Sequence, residues 1–258
     1  MKDLSKRFFS GLVGLILLIF IVSKGGYLLS FAVYIVSIIG LREFYKAIEK
    51  VNIKPIYLVG YLGVTGLFIN IMLENKYLGL IITLLIITLL ILFITNKNIS
   101  IEDISITLLG IAYIPFLLSH IIYLDNSKYI WLVFIIAFGT DTFAYIAGNL
   151  FGKRKLCPKI SPKKTIEGSI GGILGSTILL IIYSIYFNLN PMWKIILLSI
   201  ICSVIAQLGD LAASKIKRLC GIKDYGSIMP GHGGVLDRFD SIIFTVPVIY
   251  YYISIFLI

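Results

Sequence analysis

The residues best suited to chemistry lie between Ser214 and Asp240, where charge and glycine concentrate in an otherwise largely apolar chain. The segment brings together cations, carboxylates, a histidine and glycines: Lys215, Lys217, Arg218, Lys223, Asp224, His232, Asp237, Arg238, Asp240, Gly226, Gly231, Gly233 and Gly234. Clustered glycines let a backbone approach a ligand closely. Arginine and lysine bind phosphate oxygens, and aspartate binds Mg²⁺. The segment therefore indicates a site for a polyphosphate held with a divalent metal.

A polar stripe leads into this segment with the period of a helix. Its members recur at steps of three and four residues: Gln207, Asp210, Ser214 and Lys217. A carboxylate in a largely apolar helix is costly, so it normally faces a cavity, a metal or a charged partner. Asp210 therefore has two open interpretations, a metal ligand or an ion pair with a lysine. Asp237 and Asp240 lie three residues apart, but Asp240 has an alternative role as the N-cap of the last apolar run.

A further polar face and a basic loop lie upstream. Asp141, Tyr145 and Asn149 recur every four residues near the end of an apolar run, which favours contact with a nucleotide, metal or phosphate over an interhelical hydrogen bond. The loop 152–168 holds six cations against one carboxylate. Within it stand Ser161, Pro162, Lys163, Lys164 and Thr165. A Ser161 or Thr165 cap of the following helix would direct backbone N–H groups and both lysines at one phosphate, although such loops also contact anionic lipid headgroups.

The composition is that of an integral membrane protein. The chain is 59% hydrophobic and 14% charged, with a mean hydropathy of +0.99, outside the usual balance of a soluble domain. A net charge of +10 invites a nucleic-acid partner, but the cations fall between apolar runs and no nucleic acid is expected. The three cysteines (Cys157, Cys202 and Cys220) form no C-x-x-C pair and predict neither a disulfide framework nor a zinc site.

The apolar runs predict an all-α, polytopic membrane protein with about nine transmembrane helices. The runs are 8–23, 27–41, 56–73, 77–95, 104–124, 130–150, 168–188, 192–209 and 241–258. Lys24, Gly25 and Gly26 separate the first two, which are short for full spans, and predict a tight hairpin. With the N-terminus inside, 19 of the 23 lysines and arginines lie in inner segments, so the basic loops are expected on the cytoplasmic side of the cell membrane.

The seventh run carries small residues at four-residue spacing. Gly168, Gly172 and Ser176 form one such face, and Gly171 and Gly175 another. Faces of this kind allow close helix packing in membranes. The chain has no sustained repeat or linker, so a single membrane-embedded unit is expected, with residues 1–129 mainly a scaffold and 130–258 the catalytic half around 214–240.

The segment 214–240 resembles, in order and spacing, the signature of the phosphatidate cytidylyltransferases, or CDP-diacylglycerol synthases. The residues that carry this resemblance are Ser214, Lys217, Arg218, Lys223, Asp224, Gly226, Pro230, His232, Gly233, Gly234, Asp237, Arg238 and Asp240, with Met229 where Leu, Ile or Phe is expected. It extends upstream to Asp141-Thr142 with Tyr145, to residues 161–168 and to 207–210. In the first half the match is generic apart from Glu43-Phe44-Tyr45.

The resemblance implies transfer of CMP from CTP to phosphatidic acid, in a polar cavity open to the cytoplasm and the inner leaflet. We hypothesise that Asp210 and Asp237 hold Mg²⁺, with a second cation left open. The expected phosphate ligands are Lys217, Arg218, Lys223, Arg238, Lys163 and Lys164. Supporting roles are expected for Asp141, Tyr145, Ser161, Thr165, Ser214, Asp224, His232, Gly233, Gly234 and Asp240.

Two alternatives remain open from sequence alone. Another lipid phosphate, such as a polyprenyl phosphate or an ether lipid, would be read by similar apolar surfaces. A transporter would also carry intramembrane carboxylates, but the polar residues crowd toward one membrane face and no inverted repeat is visible. The oligomeric state is likewise open, a homodimer included.

Overall fold

The protein is predominantly helical and membrane-embedded, as predicted. The computed structural model describes residues 2–228 and 233–257, with side chains from residue 11 onward. Within them the helices are α1 Lys2–Lys24, α2 Gly26–Ile48, α3 Tyr57–Met72, α4 Leu78–Thr95, α5 Ile101–Ile111, α6 Leu117–Tyr123, α7 Ile130–Phe151, α8 Ile166–Phe187, α9 Met192–Leu219 and α10 Leu236–Phe256. Seven helical segments in this part of the chain are long and apolar enough to cross a membrane, and Gly11–Lys24 and Tyr57–Met72 are shorter apolar helices. The number of spans and the polar cavity remain predictions.

Helix α2 is longer than its apolar run suggests. It begins after Gly25, which has a φ of 59°, and continues to Ile48, seven residues beyond the predicted end. The added turns are amphipathic, since Phe44, Tyr45 and Ile48 are buried while Arg42 and Lys46 are exposed. The last turns of α2 are therefore stabilised by packing of one apolar face. A search for continuous apolar runs does not detect such an amphipathic extension.

Two helix ends lie in the signature segment. Helix α9 continues past its apolar run to Leu219, which confirms the predicted helical period of the polar stripe. Helix α10 begins at Leu236, five residues before the predicted run. Asp240 therefore lies inside the helix, and the N-cap alternative for this residue is wrong.

A π-helical turn divides the run predicted as a single helix over 104–124. The turn comprises Ala112–Phe116 and joins α5 to α6. Its cause is Pro115, which has no backbone N–H to donate and disturbs the regular ladder. The wider turn lets the chain continue in the same span.

The basic loop contains a small antiparallel hairpin that the sequence analysis did not predict. Strand β1 is Lys155–Cys157 and strand β2 is Ser161–Thr165, with Lys155 opposite Thr165. Pro162 stands in a two-stranded sheet, where a strand edge tolerates its missing N–H. Thr165 ends the hairpin and caps α8, because its side chain accepts a hydrogen bond from Gly168 N at 3.1 Å. The predicted Thr165 cap is thereby confirmed.

The small residues of α8 allow close helix packing, as predicted, and the structure shows that the partner is α7. A Cβ at Gly172 would lie 2.8 Å from the Thr140 carbonyl oxygen, and one at Gly168 would lie 2.7 Å from that of Ala144. Thr140 in turn shares a buried 2.7 Å hydrogen bond with Ser203 of α9. These contacts fix the part of α7 from which Asp141 projects.

The chain forms two compact units. The first contains the chain up to Ile122 together with Leu219–Asp237, and the second contains Tyr123–Arg218 and Arg238–Ile258. The signature segment thus contributes residues to both units. The predicted division at residues 129 and 130 stays a prediction.

Candidate active site

In the first unit, Asp237 organises the described part of the loop that precedes α10, residues 222–228 and 233–235, here called the signature loop. Its Oδ2 atom accepts hydrogen bonds from the backbone N–H of Tyr225 at 2.8 Å and of Gly234 at 2.9 Å. The side chain is only 8% exposed. Gly233, next to this contact, has a φ of 89°, which glycine adopts without strain. Asp237 therefore holds the loop in shape, whatever else it binds.

Glu43 of α2 binds the same loop at its junction with α10. Its Oε1 accepts the Val235 N–H at 3.1 Å and its Oε2 accepts the Leu236 N–H at 2.8 Å. These donors stand at the start of a helix, where N–H groups have no intrahelical partner. The carboxylate thus caps α10 from a distant part of the sequence.

A pocket of about 430 Å³ lies beside Glu43, between α2 and the loop 222–228. Three exposed cations line it at helical spacing, Arg42, Lys46 and Lys50. Asp224 lines the pocket from the opposite side, in the loop 222–228. This volume falls within the range of small-molecule sites, and the cations suit an anionic group.

In the second unit, the polar stripe of α9 faces other charged residues. Asp210 forms a salt bridge with Lys164 of β2, and its Oδ1 accepts the Ser214 hydroxyl at 3.2 Å. Lys217, one turn further, is only 8% exposed. Gln207 donates to the Ser169 carbonyl of α8 at 3.3 Å. The ion-pair interpretation of Asp210 therefore holds in the structure, and the metal interpretation would require Mg²⁺ to compete with Lys164.

Three carboxylates and three cations of this unit lie close enough to interact electrostatically. They are Asp141, Asp210, Asp240, Lys164, Lys217 and Arg238, here called the charged cluster. Helices α9 and α10 approach closely beside it, since a Cβ at Gly209 would lie 2.6 Å from the Asp240 carbonyl oxygen. Carboxylates that repel one another stay charged most readily when cations lie among them. The cluster therefore offers opposite charges to a phosphate and a metal alike.

Not all predicted site residues join these groups. Tyr145 is 72% exposed, and Lys163 and Lys223 are also exposed, whereas the exposed Asp224 lines the pocket. Ser161 lies in β2, and Arg218 Nε donates to the Ile160 carbonyl at 3.5 Å, at the limit of a hydrogen bond. His232 lies outside the described residues.

Two glycines of the signature make room for a buried side chain, a role that their spacing alone does not reveal. A Cβ at Gly234 would lie 2.5 Å from both Glu43 carboxylate oxygens, and one at Gly226 would also meet Oε1. The close approach first attributed to a ligand is thus made, at these two positions, by a buried carboxylate. The signals for Glu43 were the resemblance at 43–45 and a carboxylate close to an apolar run.

The donor chemistry of these sites suits Mg²⁺, which takes oxygen ligands and commonly uses one or two carboxylates together with substrate phosphates. Within residues 2–228 and 233–257, no group of three Asp, Glu, His or Cys side chains is arranged to hold a metal alone. Asp210 and Asp237 belong to different units and are each described with their own neighbours. Their joint metal role stays a prediction.

These features define a polytopic membrane protein that carries charged polar sites on its helices. The sequence profile of the cytidylyltransferase family matches residues 5–256, and the chain belongs to this family. It is 37% identical to the phosphatidate cytidylyltransferase of Staphylococcus haemolyticus, over 94% of this chain and 96% of the relative. Proteins of the same name from Staphylococcus aureus and Staphylococcus saprophyticus are 36% and 34% identical with the same coverage.

Proposed function

We propose that the protein transfers CMP from CTP to phosphatidic acid and releases pyrophosphate. The observation that carries this proposal is the charged cluster on membrane-embedded helices of a cytidylyltransferase. Three relatives whose sequences align with this chain over nearly their whole length carry the name phosphatidate cytidylyltransferase. The product is CDP-diacylglycerol, a precursor for phospholipid synthesis.

The reaction does not require the protein to supply a covalent nucleophile. A phosphate monoester is largely dianionic at neutral pH, so phosphatidic acid supplies its own nucleophile. Its oxygen bonds to the α-phosphorus of CTP while the bond to the bridging oxygen of the β-phosphate breaks, and pyrophosphate leaves with that electron pair. Catalysis then consists of positioning and charge stabilisation.

The cations of the charged cluster would provide the charge stabilisation. Lys164, Lys217 and Arg238 would stabilise negative charge as pyrophosphate leaves, because ammonium and guanidinium groups bind phosphate oxygens strongly. Lys163, Arg218 and Lys223, which are exposed, would bind outer phosphate oxygens. Asp141 and Asp240 would keep these cations in place. Tyr145, Ser161, Ser214 and Asp224 remain proposed substrate contacts.

Mg²⁺ is the proposed cofactor, held by Asp210 and Asp237 with substrate phosphates. When bound, it would neutralise phosphate charge and orient the reacting groups. The number of cations is open. A homodimer likewise stays a prediction.

We also propose that the protein lies in the cell membrane with its N-terminus and basic loops in the cytoplasm. That arrangement gives the loop 152–168 and the signature segment access to CTP. Phosphatidic acid would enter from the inner leaflet.

The test is a reconstitution of the purified protein with CTP, Mg²⁺ and phosphatidic acid. We expect pyrophosphate and CDP-diacylglycerol in equal amounts, none with EDTA, and a loss of at least about a hundredfold in Asp237→Asn. Pyrophosphate release from a polyprenyl phosphate or an ether lipid but not from phosphatidic acid would instead reassign the acceptor. A well-folded Asp237→Asn protein with full Mg²⁺-dependent activity would contradict the metal assignment.

A further inference from the structure

We propose that Glu43 is a positioning residue for cytidylyl transfer, holding the signature loop and the first turn of α10 in their active conformation. The inference rests on the proposed function and adds a residue from the N-terminal half of the chain. Glu43 lies 192 positions before Val235 and 193 before Leu236, whose N–H groups it binds. Glu43 is not proposed to touch the reacting atoms, and it acts through the signature loop and the start of α10, where Asp237 lies.

The environment of Glu43 shows that this carboxylate does not serve in a salt bridge with any described side chain. The side chain is 6% exposed, and no lysine or arginine among the described side chains lies within salt-bridge distance. Its neighbours Arg42 and Lys46 are exposed and line the pocket. A buried carboxylate on a membrane helix is costly unless strong donors compensate it. Here two backbone N–H groups do so, and hydrogen bonds to a charged acceptor are stronger than neutral ones.

The loop is shaped to receive this carboxylate. Gly226 and Gly234 both lie against it, and a methyl group at either position would occupy the space of its oxygens. Neither glycine has a positive φ, unlike Gly233. Their lack of a side chain therefore serves close packing against Glu43.

Glu43 and Asp237 hold the loop in an interleaved way. Asp237 binds the N–H groups of Tyr225 and Gly234, while Glu43 binds those of Val235 and Leu236. The Glu43 contacts thus fix the turn immediately before Asp237. Loss of one of them leaves a buried N–H without a partner and frees the helix start from which Asp237 projects.

The first experiment is Glu43→Gln in the full-length protein, with Glu102→Gln as an exposed control on α5. The amide keeps the size of the side chain but offers only one acceptor oxygen. We expect kcat to fall at least about tenfold, since a lost charged hydrogen bond with a buried orphan donor has that magnitude. The KM for CTP should change less than kcat. Hydrogen exchange of the backbone amides at 233–237 should speed up at least about tenfold without substrate, while exchange in α7 and α8 stays unchanged.

The second experiment is a double-variant cycle that does not depend on Glu43→Gln folding well. Gly234→Ala pushes its methyl group onto the carboxylate, and Glu43→Asp withdraws that carboxylate by one methylene. We expect the double variant to retain at least about threefold more activity than the product of the two single effects, because residues in contact couple. Gly79→Ala with Glu43→Asp is the matched control, since a Cβ at Gly79 of α4 meets nothing within 4 Å and its effect should be independent of Glu43.

The outcomes separate this proposal from the reaction itself. If the wild-type protein forms no CDP-diacylglycerol, the proposed function fails, while the exchange data still report whether Glu43 holds the loop. Faster exchange with unchanged kcat would reduce Glu43 to a structural contact and overturn the positioning role. Independent effects in the Gly234→Ala and Glu43→Asp cycle would overturn it as well.

Discussion

Two carboxylates of this protein are compensated in different ways, and the difference indicates how each can work. Asp210 is paired with Lys164 and accepts a hydroxyl from Ser214, so its partners are side chains that a ligand can displace. Glu43 is held by backbone N–H groups, which stay in place when substrates come and go. The first arrangement suits a binding residue and the second suits a fixed support.

The Lys164 pairing leads to a prediction about neighbouring lysines. Lys164→Gln should lower kcat/KM about tenfold to a hundredfold, because it removes a cation from the charged cluster and leaves Asp210 without its partner. Lys159→Gln is the matched control, since Lys159 is exposed in the turn between β1 and β2 and has no proposed substrate contact, and its effect should stay within about threefold. Steady-state kinetics of both purified variants measure this. Equal effects would place the two lysines in one diffuse basic surface.

The positions of individual site residues were predictable from sequence, but their partners were not. The stripe of Gln207, Asp210, Ser214 and Lys217 followed from helical spacing, and the structure places it on α9 as expected. The partner of Asp210 was named only as a lysine, because spacing within one helix carries no information on what another element brings to it. Glu43 could not be assigned for the same reason, since its partners lie almost 200 positions away.

At the scale of elements, hydropathy located helices well where the sequence is apolar without interruption over a whole span. Runs such as 130–150 and 77–95 became α7 and α4 with ends shifted by one residue. Prediction was poorer where a helix is amphipathic, as at the end of α2, or interrupted, as at Pro115. The hairpin of β1 and β2 has no alternating apolar face, so no local pattern distinguished it from a basic loop.

The packing of α8 against α7 predicts opposite outcomes for two glycines. Gly172→Ala should lower the free energy of unfolding by about 1–3 kcal/mol, because the new methyl group meets the Thr140 carbonyl oxygen in a full interface. Gly79→Ala in α4 meets nothing within 4 Å and should be neutral or slightly stabilising, since alanine favours helices. Thermal unfolding of the two purified proteins in one detergent compares them. An equal or higher melting temperature for Gly172→Ala would contradict this close packing.

At the scale of the whole molecule, the distribution of lysine and arginine among the loops predicts the orientation of the protein in the membrane. The excess of cations in alternate loops predicts that the loop 152–168 lies inside, and Cys157 stands in that loop as a half-buried reporter in β1. Cys202 and Cys220 are buried. Burial also raises the pKa of the Cys220 thiol, against the nearby Lys50 charge, so its reactive thiolate is scarce at neutral pH.

Labelling in intact cells tests this orientation. A membrane-impermeant maleimide at neutral pH should leave the wild-type protein unlabelled until the cells are permeabilised. Lys76→Cys in a Cys157→Ser background should be labelled without permeabilisation, because Lys76 is exposed in a loop predicted outside. Labelling that remains in permeabilised Cys157→Ser protein should come from Cys220 and rise only at higher pH. The reverse pattern in intact cells would invert the topology.

The contact between Glu43 and the start of α10 also has a consequence for biosynthesis. The partners of this carboxylate are translated 192 and 193 residues after it. At a translation rate of about 5–20 residues per second, roughly 10–40 s separate the synthesis of Glu43 from that of its partners. During that interval the ribosome delivers every helix of the second unit except α10. The signature loop is therefore among the last parts of the protein to mature, and a nascent chain stalled before Val235 would hold the Glu43 carboxylate without its two backbone donors.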